Sequence, residues 1–262
     1  MPRPFTALPV LALLALSCAE RPAVLTVTQQ QSGTDALLIA VSPVNDRVVW
    51  VAGAKGTWLR TTNGGQQWIA GQVAGAESLQ FRDVHGVDSL TAYLLSIGNG
   101  PDSRVYKTVD GGAHWALQVQ NADSAAFFDC FDFWDERRGV LIGDAVRGEL
   151  FVLQTDDGGA TWARVDPLIL PSALPDEGSF AASGTCVVAR PGGRAWFATK
   201  SRLFITGNYG QRWSVQSLPL THGASKGIFS LAFRDAQFGA AFAADAGQQT
   251  SAADTLLLGT VD

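Results

Sequence analysis

An eight-residue frame, Thr-x-(Asp/Asn)-x-Gly-x-x-Trp, constrains this chain more than any other feature. It occurs as Thr61-Thr62-Asn63-Gly64-Gly65-Gln66-Gln67-Trp68 and as Thr108-Val109-Asp110-Gly111-Gly112-Ala113-His114-Trp115. It returns as Thr155-Asp156-Asp157-Gly158-Gly159-Ala160-Thr161-Trp162 and Thr206-Gly207-Asn208-Tyr209-Gly210-Gln211-Arg212-Trp213. Successive copies start 47, 47 and 51 residues apart. A near-constant period of this length marks stacked units, each unable to bury its apolar face alone.

The frame predicts a strand, a stapled turn and a second strand. Short apolar runs precede the copies at 57–60, 104–107, 151–154 and 202–205, with Leu59, Tyr106, Leu153 and Phe204 two places before each Thr. The Asn63, Asp110, Asp157 and Asn208 side chains can cap N–H groups of their own turns. Gly65, Gly112, Gly159 and Gly210 stand where a positive φ is expected. Trp68, Trp115, Trp162 and Trp213 are expected to start the next strand and lay their rings over the turn. Two further strands fit upstream in each period: 79–87 with 90–97, 127–134 with 140–143, 180–189 with 195–198 and 228–234 with 240–244. A pair at 35–41 and 48–52 opens the series. Four strands in about 48 residues is the blade of a β-propeller, so the fold class is all-β.

Composition agrees. The chain has 262 residues, 28 Gly, 8 Trp and only 16% charged residues, with a formal net charge of -5. That excludes a basic nucleic-acid binder and a heptad-rich coiled coil. At 47% hydrophobic residues, the chain has too much apolar surface to stay disordered.

The frame resembles the Asp-box, or BNR repeat, of sialidases and related propellers. The whole period resembles bacterial proteins similar to the photosystem II stability/assembly factor, carried by Phe81-Arg82-Asp83-Val84, by Arg104 through Gly112, by Phe127-Phe128-Asp129-Cys130 and by Phe180 through Thr185. The resemblance covers residues 35–262 and implies a propeller with a binding or assembly role. Thr260-Val261-Asp262 repeats Thr108-Val109-Asp110, and Leu258 fills the apolar place before it. The expectation is therefore about four complete blades plus a truncated fifth, with six or seven blades in a full-length ring, which requires roughly 50 to 150 further residues.

The N-terminus reads as an export signal. Arg3 precedes an apolar run at 5–16, too short to span a membrane, and Ser17-Cys18 comes next. Residues 1–17 are read as a signal peptide and Cys18 as a lipidated N-terminus, with ordinary cleavage near Cys18 as the plainer alternative. This implies location in the bacterial periplasm or cell envelope, with the membrane reached only through that lipid. Residues 18–34 form an N-terminal segment in which 23–28 (Ala-Val-Leu-Thr-Val-Thr) resembles the strands after each Trp. It is expected to close the ring as the outermost strand of the final blade.

Candidate chemistry is sparse. A sialidase needs an arginine triad, a Tyr nucleophile paired with Glu, and an Asp acid. The tyrosines, Tyr93, Tyr106 and Tyr209, do not assemble such a set in the sequence. His85, His114 and His222 fall on different blades without zinc-ligand spacing, so no metal and no cofactor is expected. Cys130 and Cys186 fall on innermost strands of consecutive blades; two buried free thiols are favoured over a bridge. Loops opposite the frame turns form a mouth carrying Lys55, Asn99, Asp102, Asp144, Arg147, Glu177 and Lys200. Alignment of the periods puts Arg82 and Asp129 at equivalent places on neighbouring inner strands, either as an ion pair lining the channel or as part of a ligand site. The candidate binding set is Arg82, Asp129, Asp144, Glu177 and Lys200. The proline-rich loop 166–178 is a stiff, apolar candidate contact surface. The expected function is a non-catalytic, exported scaffold that binds another protein; the alternative is a glycan-directed enzyme or lectin.

Overall fold

The computed structural model describes residues 26–182, 184–220, 223, 225–247 and 256–259. The signal segment, Cys18 and the start of the expected ring-closing strand lie outside them; the part of that strand which is described, Thr26–Thr28, has no regular structure. All of the described strands belong to a compact unit that begins at Gln31.

These strands form consecutive antiparallel meanders. The first sheet is β1 (Leu38–Pro43), β2 (Val49–Gly53), β3 (Thr57–Thr61) and β4 (Ile69–Gln72). The second is β5 (Gln80–Gly86), β6 (Ala92–Ile97), β7 (Arg104–Thr108) and β8 (Ala116–Gln120). The third is β9 (Phe128–Phe133), β10 (Gly139–Val146), β11 (Glu149–Thr155) and β12 (Ala163–Arg164). The fourth is β13 (Val187–Arg190), β14 (Arg194–Ala198), β15 (Arg202–Thr206) and β16 (Ser214–Ser217). The last is three-stranded, β17 (Lys226–Phe233), β18 (Gly239–Asp245) and β19 (Leu256–Gly259). Each sheet packs on the next through its inner strands, β1 on β5, β5 on β9, β9 on β13 and β13 on β17. These sheets are the blades of a β-propeller.

Apolar burial lies between blades rather than within them, because a single meander has two faces and no partner of its own. One cluster joins Trp50 and Trp58 of the first blade to Phe81, Leu94 and Tyr106 of the second. The next joins Tyr93 and Leu95 to Phe131, Phe133 and Leu141. A third joins Val140, Ile142 and Val152 to Phe197, Phe204 and Trp213, and a fourth links Trp196 to Leu231 and Phe233. Trp115 packs against Trp50 and Trp58 of the preceding blade, with ring centroids 6.1 and 5.8 Å apart. Trp115, Trp162 and Trp213 are thus wedges between blades. Trp213 is buried, while Trp68, Trp115 and Trp162 are half-buried.

The frame turns share one hydrogen-bond scheme. Thr61, Thr108, Thr155 and Thr206 donate through Oγ1 to Oδ1 of Asn63, Asp110, Asp157 and Asn208 at 2.8–3.0 Å. The same hydroxyls accept from the N–H groups of Gly65, Gly112, Gly159 and Gly210, whose φ values are 84°, 93°, 82° and 72°. Each Oδ1 then accepts the N–H four residues on, at Gln67, His114, Thr161 and Arg212. In the fourth copy Tyr209 takes a left-handed φ of 57° where the others carry Gly. That costs about 1 kcal/mol or more for a residue with a Cβ, offset by a guanidinium–ring contact with Arg138 at 3.5 Å and an edge contact with Trp134.

These bonds make two turns acid-sensitive. The His114 N–H and ring hold the Asp110 carboxyl down at about 2, and the Thr161 hydroxyl and N–H do the same for Asp157. A depressed folded-state value contributes stability that is present above the ordinary carboxylate range and lost as pH falls through the folded value. Wild-type melting temperature is therefore expected to fall faster between about pH 4 and 2 than that of Asp110→Asn/Asp157→Asn, since Asn already serves the first and fourth turns. Parallel acid profiles from thermal melts overturn this assignment.

Candidate functional site

Every innermost strand except β13 carries one bulge, at Ile39, Arg82, Asp129 and Phe229. A bulge re-aims its side chain, so the equivalence of Arg82 and Asp129 read from the sequence has a backbone basis. The two do not form an ion pair. Arg82 donates to Gln80 Oε1 through Nε and Nη2 and to the Ala181 carbonyl through Nη1 at 3.2 Å. Asp129 is 2% exposed, and its Oδ2 has no hydrogen-bond partner among the described residues. Burial, reinforced by the neighbouring Asp144 charge, pushes its carboxyl well above the usual range.

β13 is shorter than the inner strand expected at 180–189. Residues 180–182, 184 and 185 stand outside the sheet and lie against several blades. The Ala181 carbonyl takes the Arg82 bond, Thr185 Oγ1 donates to Ser230 Oγ at 2.8 Å, and the Thr185 carbonyl accepts from Leu231 N–H at 2.8 Å. Gly184, with φ 71°, leaves no room for a side chain, because a Cβ there would meet the Asp83 carboxylate. Asp83 is itself buried and accepts the N–H groups of Val84 and Phe131, both at 2.8 Å. Desolvation nevertheless raises its carboxyl well above the ordinary value. Cys186 ends the segment in a disulfide with Cys130, across a Cα–Cα distance of 6.0 Å. The expectation of two free thiols is corrected: the segment leaves the sheet and brings Cys186 over β9, which places both fully buried sulfur atoms together.

The mouth residues separate into three roles. Asp144, near the end of β10, is half-buried and pinned by the Ser179 N–H. Gly178 lies so close to its Oδ1 that a Cβ could not fit. Desolvation raises its carboxyl, opposed by that N–H and by the Lys200 charge. Lys200 donates to the Asp176 carbonyl at 2.7 Å and remains at the rim. Glu177 is not a mouth group. It is 6% exposed and forms a buried ion pair with Arg202, accepting from Arg202 Nε at 2.7 Å, from Thr199 Oγ1 at 2.7 Å and from Leu174 N–H at 2.8 Å. Arg202 also donates to the Ser172 carbonyl. The long loop is thus tied down by one carboxylate, while Leu168 at its outer end is 91% exposed, with Ile169 and Leu174 also exposed.

Arg202 escapes a sequence reading because it looks like one polar residue at the start of a strand. Phe180 and Phe229 escape as ordinary strand aromatics. They stack at 4.2 Å between centroids with 10° between planes, and both are half-exposed. The available signal is the replacement of a polar bulge residue, as in Arg82 and Asp129, by Phe229. The tyrosines do not converge: Tyr93 donates to the Gly158 carbonyl, Tyr106 accepts from Arg104, and Tyr209 sits at a blade junction. His85 pairs with Asp132 at 3.0 Å and His114 with Asp110 at 2.7 Å. No group of three metal-ligating side chains occurs among the described residues, and no described helix is long and apolar enough to cross a membrane.

No protein-family model matches the sequence, and no curated protein matches it. Solved structures do. An ancestral GH74 enzyme aligns with a TM-score of 0.57 and 12% identity over 90% of this chain, which spans 33% of that one. A putative TolB from Agrobacterium tumefaciens aligns at 0.51 and 12% identity, covering 83% of this chain and 73% of its own. YCF48 bound to D1 peptide aligns at 0.45 and 16% identity, covering 84% and 81%. At such identities the first two likenesses speak for fold alone, and the fold they support is the β-propeller.

Proposed function

We propose that this chain is a non-catalytic, exported β-propeller that holds a segment of another protein across its mouth, as a binding or assembly scaffold related to the photosystem II assembly factor-like proteins its Asp-box repeats resemble. The observation that carries this reading is the loop 166–178. Its apolar side chains Leu168, Ile169 and Leu174 face solvent, yet its base is fixed by the buried Glu177–Arg202 pair. A rigid scaffold presenting an exposed apolar loop is suited to binding. The export signal at 1–17 and a lipid on Cys18 belong to this proposal and place the protein in the cell envelope. A photo-crosslinking residue at Leu168 is expected to give one defined protein adduct in envelope preparations, and the same residue at Gln66, on a frame turn, none. Equal labelling from both faces overturns the reading. Cys18→Ser is expected to release the protein from membranes.

One observation favours a second reading, a glycan-directed enzyme. Asp129 and Asp144 are neighbouring carboxyls whose values burial raises, and glycoside hydrolysis uses two carboxyl groups. Sugar release from a glycan panel, abolished by Asp144→Asn, is the result that selects it.

A further inference from the structure

Asp129 and Asp144 are neighbouring carboxyls, and the Lys200 charge acts on Asp144 alone. Among the described residues neither Asp129 nor Asp144 has an ion-pair partner: Arg82 is spent on Gln80 and Ala181, and Lys200 on the Asp176 carbonyl. Asp129 also makes no hydrogen bond through Oδ2. The bulge side chains of β5 and β17, Arg82 and Phe229, reach Ala181 and Phe180 respectively. Asp129 holds the same register on β9, between them, and Asp144 is tied to the adjoining Ser179. Asp129 thus neighbours Asp144, and Asp144 is tied to the residue that precedes the Phe180–Phe229 stack.

We infer that Asp129, Asp144, Phe180 and Phe229 border one recess, which takes the cationic side chain of a lysine or arginine from an extended segment of a partner protein; the inference rests on the protein-binding reading above. A buried polar group without a partner is costly, and a hydrogen-bonded cation removes that cost. The aromatic faces attract the same charge and cover its methylene stem. A divalent metal ion matches less well, since it requires six or more oxygen ligands, whereas an ammonium or guanidinium on an alkyl stem uses all four side chains.

The test uses the full chain with its disulfide intact and three Gly/Ser-rich 12-residue peptides that differ only in a central lysine, acetyllysine or glutamate, titrated by calorimetry. The lysine peptide is expected to bind at least ten-fold more tightly than the other two. Asp144→Asn and Asp129→Asn should each abolish that preference, with Asp35→Asn, at an exposed carboxylate paired with Lys55, retaining it. Should Asp129→Asn melt early, Phe229→Leu supplies the second variant and is expected to weaken lysine binding several-fold. Equal affinity for lysine and acetyllysine, a preference that survives Asp144→Asn, or no binding of any peptide overturns the inference. Crosslinking at Leu168 separates the two failures: a defined adduct with no lysine preference sinks only the recess, and no adduct sinks the protein-binding reading with it.

Discussion

Glu177→Ala is expected to destabilise the protein by about 3–5 kcal/mol, the range for removing one partner of a buried ion pair. The reason is the Arg202 guanidinium, which is 7% exposed and would be left as a buried charge without its partner. Glu177→Gln should cost nearly as much, because the shape is kept and the charge is lost. Replacing both partners, as Glu177→Leu/Arg202→Met, should cost clearly less than either single change, since no stranded charge is left. Urea melts of the four proteins form a double-mutant cycle. A Glu177→Ala effect below 1 kcal/mol, or strict additivity in the double variant, shows that the pair does not anchor the loop. Limited proteolysis reports the same event locally: with the staple gone, cleavage within 166–178 should accelerate while the frame turns stay resistant.

Removing the Cys130–Cys186 bridge, as Cys130→Ala/Cys186→Ala, is expected to cost about 4 kcal/mol by the chain-entropy relation for the sequence separation of 56 residues. The bridge joins β9 of the third blade to the segment just before β13. Its loss frees the unfolded chain and also loosens residues 184 and 185, which belong to no strand. Hydrogen exchange should consequently rise first at Leu231, whose N–H is bonded to the Thr185 carbonyl. Oxidised wild type and the double variant melting within 1 kcal/mol of each other contradicts a bridge that closes this loop.

Both effects arise from contacts that link blades, and this sets how much a sequence can reveal. The strands beside each frame, the turn staples at Asn63, Asp110, Asp157 and Asn208 and the positive-φ glycines are all legible, because each is decided within about eight residues and repeated four times. A second turn cap recurs between the first and second strands and is not legible: Asn45, Asp88, Asp135 and Asp235 each accept the N–H groups two and three residues on. Its signal, a single Asn or Asp in a turn, is too short to stand out against ordinary loop composition. The mouth is legible only as a set of polar residues on one side. Which of them lines it is not, since Glu177 and Asp144 are both lone carboxylates in the sequence and differ by whether Arg202 lies within reach.

The period by itself determined the blade, the meander and the turn, because local hydrogen bonding and alternation of apolar residues suffice to specify them. Only the tertiary structure decided what happens between blades. It took residues 180–182, 184 and 185 out of the inner strand, joined Cys130 to Cys186, and left Asp129 buried beside Asp144 while Arg82 turned to Ala181. Those outcomes depend on how closely neighbouring inner strands approach and on which side chain reaches a given polar atom first. Such distances are set by the packing of Trp50, Phe131, Phe197 and the other residues between blades, and no spacing along the chain encodes them.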